Sequence, residues 1–157
     1  MSHDADRARK EFWEKLDDSP FVMVSLQDED AHAAPMTVIL DKGADHQFWF
    51  YTTRDNRLAS GGAAMVHFAS KGHDLFACVS GTLVGETDPE VIKRYWNNAV
   101  EAWYEGGRDD PNLLMLRFEL GDAEIWEADP GIKGSFKLLT GMTMKPGDAG
   151  EHVRTAL

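Results

Sequence analysis

The sequence predicts a mainly β chain: a small antiparallel β-barrel of six or seven strands, with one helix at the front and another before the final hairpin. Three observations carry this. Runs of β-branched and aromatic residues recur along the chain, as in FVMVSLQ, QFWFYTT and LFACVSGTLV. The connections between them are short, which favours antiparallel neighbours. Strong helical spacing of apolar residues occurs near the N-terminus and again after Asp88.

Asp4 to Asp17 reads as a helix, because Ala8, Phe12 and Leu16 recur at i, i+4 and i+8 with Trp13 beside them. Pro20 stops it, and its single apolar stripe calls for packing on a sheet or barrel end. Phe21 to Gln27 and His32 to Leu40 read as a hairpin across an acidic turn at Asp28 to Asp30. Pro35 inside the second strand makes that strand an edge, or kinks it. Gln47 to Thr53 is the next strand. Asn56 to Gly61 reads as a polar N-cap and a short helical turn ending at Gly61-Gly62.

Ala63 to Ser70 and Leu75 to Val84 are two more strands. The second is apolar or small on both faces, hence central, with Gly81 marking a bulge or a close backbone approach. Asp88 to Gly106 reads as one helix: Asp88 caps it, Pro89 opens it, and Ile92, Tyr95, Trp96, Ala99 and Trp103 form its stripe. Leu113 to Leu120 and Glu124 to Ala128 read as a last hairpin across Gly121-Asp122. Beyond Pro130 the chain turns polar and glycine-rich, with a short helix expected over Ser135 to Leu139 and a frayed end. The division expected is one barrel domain over 1–130 and a C-terminal tail over 131–157 that packs on the barrel or frays from it.

Composition narrows the function classes. The 157 residues suit one domain, and 43% hydrophobic with 27% charged residues is an ordinary globular balance. A formal charge of −11 argues against nucleic acid and anionic membranes as partners, but not against one phosphate in a local pocket. Cys78 is the single cysteine, so no intramolecular disulfide forms. With a charged N-terminus and no apolar run of membrane-spanning length, a cytoplasmic protein is expected. The six histidines show no HxxxH or HExxH spacing and there is no CxxC, so no metal site is expected. GxSxG, P-loop and GxGxxG motifs are absent, and Cys78 reads as a small core residue rather than a nucleophile.

The chain is organised around Gln47 to Leu58, QFWFYTTRDNRL. An aromatic strand here delivers two threonines, Arg54 and Arg57 to its C-terminal end. Hydroxyls, backbone N–H groups and a guanidinium fork suit a phosphate. An ordinary polar loop after a buried strand is the competing reading. Trp13 and Trp96 read as packing residues, whereas Trp126, ending the last strand in EIWEAD, suits either a planar ligand or a partner subunit.

A resemblance joins these pieces. The PM-containing strand, FWFYTT with its N-R step, VSGTL, the run DPEVIKRYWNNAVEAWYEGGRDDPNLLMLRFEL and AEIW together resemble the general stress protein 26 group of the pyridoxamine 5′-phosphate oxidase-like superfamily, over roughly Asp4 to Asp129. The resemblance implies the FMN-binding split β-barrel fold and a homodimer holding FMN, ahead of FAD or a deazaflavin, in clefts at the subunit interface. It implies that Pro35, Met36 and Thr37 lie along the isoalloxazine ring. Tyr51, Thr52 and Thr53 would reach ribityl and phosphate, and Asn56 and Arg57 would grip the phosphate. Phe76 stands where pyridoxamine phosphate oxidases proper have a glutamine, and Trp126 matches the tryptophan that approaches the flavin from the other subunit.

Two departures stand out: Ala34 replaces an arginine common before the PM pair, and Leu58 replaces the lysine expected after the N-R step. A charge-assisted hydrogen bond contributes roughly 1.5–3 kcal/mol, so losing two costs about two to four powers of ten in affinity. Arg54, Arg57 and Lys137 are the cations left to compensate. The expected function is a flavin-dependent oxidoreductase linked to general stress, with no catalytic acid or base assigned. The alternatives are a non-catalytic flavin-binding or sensor protein, and a cofactor-less dimer, which Ala34 and Leu58 favour.

Overall fold

The computed structural model describes residues 3–41, 43–44, 46–102, 104–127 and 151–157. Strand alternation builds its core. β1 (Phe21–Leu26) turns Val22, Val24 and Leu26 inward; β4 (Gly62–Ala69) contributes Ala64, Val66 and Phe68; β5 (Leu75–Gly85) contributes Leu75, Ala77, Val79 and Leu83. β2 (Ala34–Thr37) and β3 (Gln47–Thr53) follow β1 in the chain, and β6 (Leu113–Glu127) and β7 (Glu151–Ala156) complete one antiparallel sheet. The strand order is β2-β1-β4-β5-β6-β3, with β7 added on β6.

The sheet curls until its two ends touch. Ile39, just past β2, bridges Trp49 of β3 through Ile39 N to Trp49 O at 2.8 Å and Trp49 N to Ile39 O at 3.1 Å. Beyond that bridge no ladder joins β2 to β3 among the described residues, so the barrel is closed at one point and split past it. Pro35 lies on the edge strand, where its missing N–H costs no ladder bond. α1 (His3–Asp18) seats Ala5, Ala8, Phe12 and Leu16 in the core, and Phe12 meets Phe68 edge-on at 6.0 Å.

Several expectations change. The second strand is shorter than His32 to Leu40, because only Ala34–Thr37 pairs with β1. Asn56 to Gly61 forms a series of turns and no helix: Asn56 N bonds Thr53 O, Ala59 N bonds Asn56 O, and the Asn56 Oδ1 accepts Leu58 N at 2.8 Å. The side chain of Asn56 thus competes with helix formation. The helix expected over Asp88 to Gly106 is two short ones, α2 (Pro89–Tyr95) and α3 (Asn98–Glu101). Trp96 and Asn97 between them are extended, and Asn97 caps α3 through Val100 N at 2.9 Å.

The last hairpin is a single strand, β6. Gly121-Asp122 makes a bulge where β5 and β6 slip in register beside Ser80. The chain end expected to fray pairs with residues 122–127 as β7. The helix expected over 135–139, Lys137 and Trp103 lie outside the described residues. No helix among the described residues is long and apolar enough to cross a membrane.

Candidate functional site

The split in the barrel is a cleft of about 570 Å³. One wall is Pro35, Met36, Thr37, Val38 and Ile39; the facing wall is Tyr51, Thr52 and Thr53; Asn97, Val100 and Tyr104 roof it. Six of the ten residues singled out from the sequence therefore meet here: Pro35, Met36, Thr37, Tyr51, Thr52 and Thr53. Antiparallel geometry explains the meeting. Past the Ile39–Trp49 bridge the two strands run in opposite directions, so Val38 to Pro35 faces Tyr51 to Thr53 without ladder bonds between them.

The cleft is graded in polarity. Val38 and Ile39 lie at its bridged end, and the hydroxyl of Thr53 lies toward the other. The turn leaving β3 then presents Arg57, whose Nη1 donates to His32 O at 2.9 Å, so the guanidinium spans from the β3 side to the chain entering β2. Arg54 turns to the other flank of β3, its Nε donating to Pro111 O at 3.0 Å. Among the described residues neither arginine forms an ion pair; both are held by backbone carbonyls. The Thr53 hydroxyl donates to Asp55 Oδ1 at 2.5 Å. Ala34 and Leu58, the positions without cations, are core residues at 8% and 1% exposure.

The roof was not legible in the sequence. α2 has no buried residue of its own and is held by β3 side chains. The Tyr51 hydroxyl donates to Ile92 O at 2.5 Å, the Tyr104 hydroxyl donates to Thr52 O at 2.6 Å, and Trp49 packs on Tyr95 at 5.1 Å. Trp96 sits edge-on to Tyr51 at 5.6 Å and 5.7 Å from Tyr104. Burial, reinforced by neighbouring tyrosines, pushes the Tyr51 hydroxyl up to about 12. Burial, with Asp110 nearby, pushes Tyr104 up to about 12 as well. Both stay protonated at neutral pH, and they are the only titratable side chains lining the cleft among the described residues. Only the regular DPE cap of α2 announced this roof; the tyrosine hydrogen bonds carry no sequence signal.

Phe76 and Trp126 sit elsewhere. They are register partners on β5 and β6, half-buried, and Phe76 stacks on His73 at 6.4 Å. Neither lines the cleft of its own chain. Cys78, on the same β5 face, is half-buried, and burial beside Glu124 and Asp122 pushes its thiol up, which disfavours a nucleophilic thiolate. A second cavity, of about 600 Å³, lies over the outer faces of Trp49 and Arg117. Its two arginines are already paired: Arg117 with Glu86 at 3.1 Å and Arg94 with Asp41 at 3.8 Å, while Trp49 Nε1 donates to Glu86 at 3.0 Å. Arg57 and Asn56 stand on the turn beyond Thr53 and are not among the lining residues of the first cleft. No group of acidic, histidine or cysteine side chains suited to a metal occurs among the described residues.

The family model for pyridoxamine 5′-phosphate oxidase-like proteins matches residues 7–145. The crystal structure of the general stress FMN/FAD binding protein from the phytopathogen Xanthomonas citri is 42% identical, with 78% of this chain and 89% of that chain covered and a TM-score of 0.72. A protein assigned as a general stress protein 26 from Jannaschia sp. CCS1 is 26% identical over 97% of this chain and 99% of its own, with a TM-score of 0.76. A Clostridium acetobutylicum protein related to general stress protein 26 of B. subtilis, of the pyridoxinephosphate oxidase family, shares the fold at 21% identity, with a TM-score of 0.65 over 78% of this chain and 89% of that one. No curated protein sequence matches the chain.

Proposed function

The chain belongs to the pyridoxamine 5′-phosphate oxidase-like family and has its split-barrel fold; from that premise we propose that it is an FMN-binding flavoprotein, a flavin-dependent oxidoreductase of the general stress response. The observation that carries this reading is the graded cleft. An apolar slot between Met36, Val38, Ile39 and Tyr51 suits a planar ring system. Thr52, Thr53, Asn56 and Arg57 follow in chain order toward the end where a phosphate would sit. The Xanthomonas citri relative is described as binding FMN or FAD, and its identity to this chain supports carrying flavin over.

When bound, the flavin supplies reversible electron transfer. The chain's own residues bind and orient it. Arg57 neutralises phosphate, Tyr51 and Tyr104 fix the roof, and Val38 and Val100 keep water from the ring. Among the described residues the cleft is lined by no acid or base besides these two tyrosines of raised pKa. That favours redox chemistry carried by the cofactor over hydrolysis or proton transfer by side chains.

We read the working unit as a cytoplasmic homodimer. Phe76 and Trp126 lie apart from the cleft of their own chain, which fits their serving the cleft of a second copy. The testing measurement is the visible absorbance of the purified protein after loading with FMN and desalting, beside Arg57→Ala. Retention near one flavin per chain, with affinity falling about ten- to hundredfold in the variant, is expected. Loss of flavin from the unmodified protein would favour the cofactor-less reading that buried Ala34 and Leu58 support. Unchanged affinity in the variant would sink the phosphate assignment.

A further inference from the structure

We propose that Asp55 is a built-in competitor for the phosphate at this cleft, holding the site's affinity for phosphorylated ligands below what its other residues would give. The inference rests on the reading that Thr53 and Arg57 receive a phosphate. Three features on the turn that leaves β3 point to it. First, the Thr53 hydroxyl, which lines the cleft, gives its proton to Asp55 Oδ1 at 2.5 Å. A carboxylate thus takes the donor that a phosphate oxygen would take. Second, cations are few at this end. Arg57 is the cation reaching across to His32 O, Arg54 is turned to Pro111 on the other flank, and Ala34 and Leu58 are buried and apolar. The Asp55 carboxylate, held on Thr53, opposes the approach of a phosphate to that hydroxyl. Third, Asp55 is exposed and the turn does not depend on it. Asn56 N to Thr53 O at 3.0 Å and Leu58 N to Asn56 Oδ1 at 2.8 Å hold the backbone without its side chain. Glu29, one of three acids on the turn from Asp28 to Asp30, accepts from the Ser60 hydroxyl at 3.0 Å.

Phosphate entry would therefore require the Thr53 hydroxyl to rotate away from Asp55 and Asp55 to swing into solvent. A ligand of the same ring system without phosphate would require neither. This carboxylate thereby lowers the discrimination between phosphorylated and unphosphorylated flavins.

The test is titration of the full chain with FMN and with riboflavin, comparing the unmodified protein with Asp55→Ala, Asp55→Asn, Asp55→Ala/Thr53→Val and Arg57→Ala, each checked for an unchanged melting transition. Asp55→Ala should tighten FMN about five- to thirtyfold while leaving riboflavin within about twofold. Asp55→Asn, which keeps an acceptor for Thr53, should give only the charge-dependent part of the gain, and adding Thr53→Val should remove the hydroxyl-dependent part. If Arg57→Ala weakens FMN but Asp55→Ala does not tighten it, the competitor role is overturned while the phosphate site stands. If riboflavin gains as much as FMN, the effect is not at the phosphate and the inference fails. If neither Asp55→Ala nor Arg57→Ala changes FMN binding, the phosphate reading itself falls, and this inference with it.

Discussion

Tyr104 illustrates how much one hydroxyl holds in place. It lies 52 residues from Thr52 in sequence, is buried, and donates to the Thr52 carbonyl at 2.6 Å, pinning the roof to the strand that forms the cleft wall. Tyr104→Phe removes that hydrogen bond, and we expect a loss of about 1–2 kcal/mol in urea unfolding. The pH dependence has a definite sign. Because burial raises the folded hydroxyl to about 12 from 10.0, its contribution is complete below pH 10 and is lost as pH rises toward about 12. The variant should therefore show a shallower alkaline fall in stability; an identical alkaline profile would remove Tyr104 from this role. The same scale shows what a sequence conceals. QFWFYTTRDNRL announced its threonines and arginines, yet it could not say that Arg54 and Arg57 leave β3 on opposite flanks. Nor could it say that Leu58 is a core residue rather than a cation gone missing. Those outcomes depend on backbone carbonyls at Pro111 and His32, far away in sequence.

Elements were legible where period and capping agree, and not where a turn signal had two uses. β3 spans Gln47–Thr53, the aromatic and threonine run that marks it as a strand, and Asp88 caps α2 as DPE requires. Gly121-Asp122 is a strong hairpin signal, yet here it bends one continuous strand. Ser80 Oγ donates to Asp122 O at 3.1 Å and also meets its carboxylate. The partner strand continues past the slip between Val79 and Gly81. The break at Trp96-Asn97 escaped for a related reason: a helical stripe says nothing of a capping asparagine inside it. Gly81, by contrast, was correctly marked as a close approach. A Cβ there would lie 2.3 Å from Glu119 O and 2.6 Å from the Phe118 ring, both parts of β6. Gly81→Ala must push the two strands apart, and we expect a loss of at least about 3 kcal/mol, read as a lowered urea midpoint. A loss below about 1 kcal/mol would mean that the bulge absorbs the methyl group.

At the scale of the whole molecule, the cleft and the sheet's outer face make one surface. Phe21 and Met23 on β1 are 63% and 41% exposed, and they pair with Thr37 and Pro35, residues of the cleft wall. On the same face β1 continues into β4 at His67, β4 into β5 at Cys78, and Phe76 stands beside Trp126 further along. Two large apolar side chains exposed beside the cleft suit a covered surface, whose burial has to outweigh the repulsion between chains of charge −11. In the homodimer proposed above, a second copy would cover this face and bring Phe76 and Trp126 toward the flavin. Light scattering should then give twice the 17.5 kDa of one chain. Met23→Glu places an unpaired carboxylate in that contact and should weaken it by about 2–3 kcal/mol, on the order of a hundredfold. Flavin retention should fall in parallel, because the cleft would lose the wall supplied by its partner. A Met23→Glu protein that stays dimeric and keeps its flavin would move the interface off this face. One that becomes monomeric yet binds FMN undiminished would separate the cleft from the dimer altogether.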